Sequence, residues 1–111
     1  MADHRNRLII SGSIVEVAPL RHTPAGVPVL NLRIGHASEQ IEAGLPRQVD
    51  VEVAAVALGQ TALLLSGAKP GERASFTGFL AAKSVKAKQP VLHVTEIEFL
   101  EGNANGISTQ G

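Results

Sequence analysis

The sequence predicts an all-β domain: a five-stranded antiparallel barrel with one short helix between its third and fourth strands. Three observations lead there. Five segments rich in β-branched or alternating apolar residues are separated by turn-forming stretches. A single segment, between the third and fourth of these, has helical spacing instead. The chain has 111 residues, 44% of them apolar, which is enough for one core and no more.

The first strand is Leu8 to Val17, with Gly12 in its interior suggesting a bulge or bend. Ala18 to Pro28 holds three prolines and a glycine, which preclude regular structure and favour a turn at Pro24-Ala25-Gly26. Val29 to His36 alternates, with Leu30, Leu32 and Ile34 on one side and Val29, Asn31 and Arg33 on the other. Ala37 to Pro46 is polar and reads as an exposed loop with a helical turn at most. From Arg47 the alternation resumes, with Val49, Val51 and Val53 against Gln48, Asp50 and Glu52. Leu58, Thr61, Ala62 and Leu65 fall at helical spacing, and Gly67 and Pro70 supply a stop, so a helix of two to three turns is expected around Leu58 to Ser66. Arg73 to Lys83 is a fourth strand bent at Gly78, and Val91 to Leu100 a fifth. Between them Ser84 to Pro90 is a hairpin loop. Residues 103–111 read as a flexible C-terminal tail, leaving 1–102 as the domain.

Three strands, a helix and two strands is the element order of the OB fold, a partly open five-stranded Greek-key barrel. SH3-like barrels and small sandwiches of this length share parts of that order.

Composition excludes several chemistries. Without cysteine there is no disulfide framework, thiol nucleophile or thiolate zinc site. His4, His22, His36 and His93 lack metal-ligand spacing, and no phosphate-cradling loop or Ser/His/Asp signature occurs. The domain therefore reads as noncatalytic, with no cofactor and no small-molecule substrate. Asp50 and Glu52 could in principle present carboxylates to magnesium, as in a nuclease, but two acids on a strand are ordinarily a solvated face. The N-terminal residues carry both charge signs, unlike a signal peptide, and the apolar stretch Val51 to Ala68 is too interrupted for a membrane span. A cytoplasmic protein is expected.

Ten basic and ten acidic side chains cancel, so charged partners must be sought locally. Lys83, Lys86 and Lys88 stand in the hairpin loop, with no acidic residue between Arg73 and Thr95. Such a segment suits the phosphates of a single strand, although lysines also simply keep loops soluble.

Asn6-Arg7-Leu8 with Ser11-Gly12, Pro24-Ala25-Gly26-Val27-Pro28, Glu42-Ala43-Gly44-Leu45-Pro46-Arg47-Gln48, Gly78-Phe79, and Val91-Leu92-His93 followed by Ile97-Glu98 occur in an order and spacing that resemble the primosomal replication protein N family. That family is itself similar to single-stranded DNA-binding proteins, and the likeness runs from about Asn6 to Gly102. It implies an OB-fold homodimer that binds single-stranded DNA and, with other primosome proteins, helps a replication-restart helicase at stalled forks. On the family's positions Arg21 and Arg47 join the three lysines as candidate DNA contacts, with Arg33 ranked behind them. The homodimer would also cover the first strand's alternate residues Ile10 and Ile14, read here as an exposed apolar edge. Where some members carry aromatics, this chain has Leu45 and Asp50. The phenylalanines Phe76, Phe79 and Phe99 are expected in the core, so binding should lean on charge more than on base stacking. The competing reading is an OB-fold protein-interaction module with little nucleic-acid binding, which the balanced charge favours.

Overall fold

The structure is a computed structural model describing residues 5–100. The expected tail at 103–111 lies outside the described residues. The elements are β1 (Leu8–Val17), β2 (Arg21–His22), β3 (Pro28–Glu42), β4 (Leu45–Leu58), α1 (Gln60–Leu65), β5 (Arg73–Ala82) and β6 (Pro90–Phe99). Five of these strands close a ring in the order β1-β5-β6-β4-β3, with β3 returning to β1, and β2 adds two residues to the edge of β3. This is the OB-fold barrel, its helix between the third and fourth barrel strands.

The barrel is not antiparallel throughout, contrary to the sequence expectation. Four seams are antiparallel, but β4 and β6 run parallel through Ala55–Leu92, Val56–His93 and Ala57–Val94. Parity dictates this: around a ring of five strands, up and down cannot alternate without at least one parallel pair of neighbours.

Alternation fixes the core. Leu30, Leu32 and Ile34 of β3, Ala55 and Ala57 of β4, Ala74 and Phe76 of β5, and Leu92 and Val94 of β6 point inward with Ile14 of β1. Ala62 and Leu65 of α1 plug one end of this cluster. The helix is shorter than expected, six residues, because Leu58 still belongs to β4 and the chain turns at Gly59 with a positive φ of 66°. Among the described residues no polar or charged residue is buried.

On β1 the inward residues are Ile10 and Ile14, not the outward ones the sequence reading assumed; Ile14 is fully buried and Ile9 faces solvent. The run Leu8-Ile9-Ile10 is apolar on both faces and hides the parity, which Ser11 and Ser13 opposite Gly12 and Ile14 reveal. A bulge follows at Val15: Ile14 pairs with Ile34, and Glu16, not Val15, pairs with Arg33. Gly12 serves a different end. A Cβ there would collide with the carbonyl of Gly35, so the glycine lets β1 cross from its pairing with β5 to its pairing with β3. Gly78 likewise presses against the His93 carbonyl, beside the register shift in which Thr77 pairs with Glu96 and Gly78 with Val94.

Residues 37–46 are not a loop. β3 and β4 continue past the barrel as a regular ribbon, paired from Val29–Leu58 out to Glu42–Leu45. Ala43 and Gly44 turn it, both with positive φ (54° and 78°), the two-residue geometry that matches strand twist. With no core to face, residues 37–46 lack the in–out alternation that marks a strand in sequence. The turn expected at Pro24-Ala25-Gly26 is present, Gly26 N donating to the Thr23 carbonyl at 2.8 Å and Val27 N to Thr23 Oγ1 at 3.1 Å.

Candidate nucleic-acid interface

A groove of about 510 Å³ lies between the outer faces of β3 and β4 and the base of the β5–β6 hairpin. Strand alternation builds it. Inward Leu30, Leu32 and Ile34 leave Asn31 and Arg33 outside, and inward Ala55 leaves Ala54 as a low floor beside them. Lys83, Gln89 and Pro90 form the opposite wall, where the hairpin leaves the barrel. Lys83 N donates to the Gln89 carbonyl at 2.9 Å, which closes the base of the loop and sets the direction in which it projects.

The candidate cations are distributed unevenly around this groove. Lys83 lines it, and Lys86 and Lys88 are exposed on the loop beyond. None of the three belongs to the ion pairs found elsewhere, Arg33–Glu52 and Arg47–Glu42. Arg21, on β2, donates from Nη2 to Asn31 Oδ1 at 2.9 Å, which holds its guanidinium at the groove margin. Arg47 is elsewhere. It stands seven residues along β4 from Ala54, roughly 23 Å at strand rise, and donates to Glu42 Oε1 at 3.0 Å on the ribbon. Arg33, ranked last from sequence, lies in the groove itself, its Nε 3.1 Å from Glu52 Oε1. The signal for Arg33 was its place between Leu32 and Ile34, which fixes it on the outer face of a central barrel strand.

The aromatic residues depart from expectation. Phe76 is buried, but Phe79 is 40% exposed and Phe99 is also exposed. Phe79 stacks on His93 across β5–β6, with ring centroids 5.0 Å apart and planes 11° from parallel. Phe76 and Phe79 are three apart, so on one strand they cannot share a face; that spacing could have found the outer ring. In parallel register His93 neighbours Val56, which is paired with Asn31, so the stacked pair borders the groove one row away.

Glu52 is engaged by Arg33, and among the described residues no three His, Cys, Asp or Glu side chains converge as a metal site. Among them, too, no helix is long and apolar enough to cross a membrane.

Comparison with known proteins agrees with this architecture. The model of a family described as another single-strand binding protein family matches residues 6–96. Replication restart protein PriB of Bordetella pertussis is 40% identical over 98 residues, covering 88% of this chain and 92% of that protein. The solved structure of PriB from Ralstonia solanacearum superposes with a TM-score of 0.76 at 35% identity, covering 85% of this chain and 97% of that one. The single-stranded DNA-binding protein of Thermus aquaticus shares the fold, with a TM-score of 0.71 at 23% identity over 87% of this chain and half of that one. An OB barrel with this groove, matched over nearly its whole length by PriB proteins, belongs to the primosomal replication protein N family, the replication restart PriB proteins, within the wider single-strand binding group.

Proposed function

We propose that this protein is a noncatalytic single-stranded DNA-binding accessory factor of replication restart, acting as a homodimer in the cytoplasm and assisting the restart helicase. The observation that carries the reading is the meeting of the groove with the lysine hairpin. Lys83 lines one concavity with Arg21 at its margin, and Lys86 and Lys88 prolong it along a loop whose ammonium groups have no carboxylate partner among the described residues. The OB fold uses the corresponding strand face and loops for oligonucleotides, and kinship with proteins named for replication restart supplies the process. A backbone laid over the groove would meet the cations at phosphate oxygens, positioning the strand without reading its bases.

Dimerisation has its own support in the fold. On the side away from β5, β1 pairs with β3 only from Ser13 onward, so the stretch from Leu8 to Gly12 offers a strand edge, flanked by outward-facing Ile9. His36 Nδ1 takes up one group there, 2.7 Å from the Ser11 carbonyl, which accepts. Light scattering at micromolar concentration should return twice the chain mass; a monomer mass counts against the dimer.

A second reading, a protein-interaction module with little DNA binding, is favoured by one observation: Glu16 and Glu52 also line the groove and balance Arg33 and Lys83. Fluorescence anisotropy with labelled single-stranded and duplex oligonucleotides at two salt concentrations decides between the two. Salt-dependent preference for the single strand supports the first; no binding at low salt leaves the second. Absence of cleavage with magnesium tests the noncatalytic part.

A further inference from the structure

The groove is not a simple cationic channel. Arg33 lies between two carboxylates on the neighbouring strands, and both placements follow from register. On the β4 side, Arg33 pairs with Ala54 and Glu52 with Gly35, so Glu52 sits diagonally adjacent, and its Oε1 receives the guanidinium Nε at 3.1 Å. On the β1 side, Glu16 is the direct cross-strand partner of Arg33. Directly opposed side chains on one face have Cβ atoms about 5 Å apart, well within charge interaction.

The bulge on β1 makes the second neighbour possible. If Val15 were counted into the ladder, Glu16 would fall opposite Leu32 and point into the core. Because the bulge absorbs Val15, Val17 turns inward to pack on the core and Glu16 stays outside beside Arg33. Its carboxylate has no ion pair of its own among the described residues, and it lines the same groove as Glu52, Arg33 and Lys83. Two acids thus face two basic side chains in a cleft whose other lining residues are uncharged.

We propose that Glu52, reinforced by Glu16, is an affinity-setting residue of the groove: it occupies the Arg33 guanidinium that a DNA phosphate would otherwise take. The proposal rests on the single-stranded DNA-binding reading above. A phosphate entering the groove must displace a carboxylate from Arg33 and approach two like charges, so the hairpin lysines carry the binding and Arg33 contributes little while Glu52 is present. Half-exposed ion pairs such as this one add little to folding, so the acids can be neutralised without unfolding the barrel.

The test is a double-mutant cycle read by anisotropy with a labelled oligothymidylate at two salt concentrations, beside melting curves of each variant. Glu52→Gln should tighten binding about two- to fivefold, the range of an exposed ion pair, and steepen the salt slope by about 0.7 as Arg33 gains a phosphate. Glu16→Gln in the Glu52→Gln background should tighten it further. Arg33→Ala should cost little in the wild type but should remove the gain in the Glu52→Gln background. Melting temperatures should stay within a few degrees. Unchanged affinity for Glu52→Gln, in a protein whose wild type binds the probe, overturns the proposal and leaves the DNA-binding reading intact. A gain that survives Arg33→Ala overturns it too, since Glu52 would then be a general repelling charge. If neither the wild type nor any variant binds the probe even at low salt, the DNA-binding reading itself fails.

Discussion

Two hairpins leave the same barrel and are built in opposite ways. The ribbon of β3 and β4 is long, regular and closed by a two-residue turn, and its charges at the tip are internally matched through Arg47 and Glu42. The β5–β6 hairpin ends in an irregular loop with charge of one sign only, and its lysines form no ion pair among the described residues. Both carry exposed apolar side chains near their ends, Ile41 and Leu45 on the ribbon and Val85 on the loop. The difference is therefore electrostatic: the ribbon pairs its arginine, Arg47, with Glu42, whereas the lysine loop carries cations alone.

The largest effect is expected where the lysine hairpin roots in the barrel. Gly78→Ala would drive a methyl into the His93 carbonyl, and backbone cannot yield as a side chain can. A loss of about 3 kcal/mol, the upper end for overpacking, should lower the Tm by roughly 12 °C or more, as followed by circular dichroism. A Tm within a few degrees of wild type would mean that the strand can shift at its register irregularity.

Next in size is the joint replacement of Lys83, Lys86 and Lys88 by alanine. Each single-strand phosphate contact contributes about 0.7 to the slope of log affinity against log salt, so the slope should flatten by as much as about 2 and binding weaken at low salt. The loss should be similar for oligonucleotides of different sequence, with an unchanged Tm. If affinity and slope both hold, the two hairpins are alike and the loop is merely solvated.

Smaller effects belong to the ribbon. Ala43 adopts a left-handed φ of 54° without being glycine, so Ala43→Gly should relieve about 0.5–1 kcal/mol of local strain. Slower amide exchange along the Gln40–Arg47 part of the ribbon would register this. Faster exchange would show that the added freedom of the unfolded chain outweighs the strain. Smallest of all is Arg47→Ala, whose guanidinium already has Glu42: affinity for single-stranded DNA should change by less than about twofold, within the value of one exposed ion pair. A drop as large as that of the triple lysine variant would place the DNA on the ribbon instead.

Sequence reading succeeded wherever one face of a strand was buried. Leu30, Leu32 and Ile34 declare β3, and Phe76 with Gly78 declares β5 and its bend. It failed where that asymmetry was missing. The ribbon from Ala37 to Pro46 lies against no core, so this stretch resembles a loop in composition. Leu8-Ile9-Ile10 is apolar on both sides, so the inward face of β1 was misjudged. The lysines were visible as a run of like charge, but the role of Arg33 depends on which residues stand across from it. Glu16 reaches that place only through a bulge of one residue, which leaves no mark in the spacing. The parallel seam needed no side-chain information at all; the number of strands in a closed ring was sufficient.

That seam also bears on how the protein is made. β6 lies between β5 and β4, and it brings Leu92 and Val94 to the core. On the ribosome, then, every other strand emerges before the one that joins the two open edges. Until residues 90–99 have left the exit tunnel, the nascent chain holds two unpaired strand edges above an unfilled interior, the combination most prone to pairing with a neighbouring chain. The barrel closes only when its last strand is delivered.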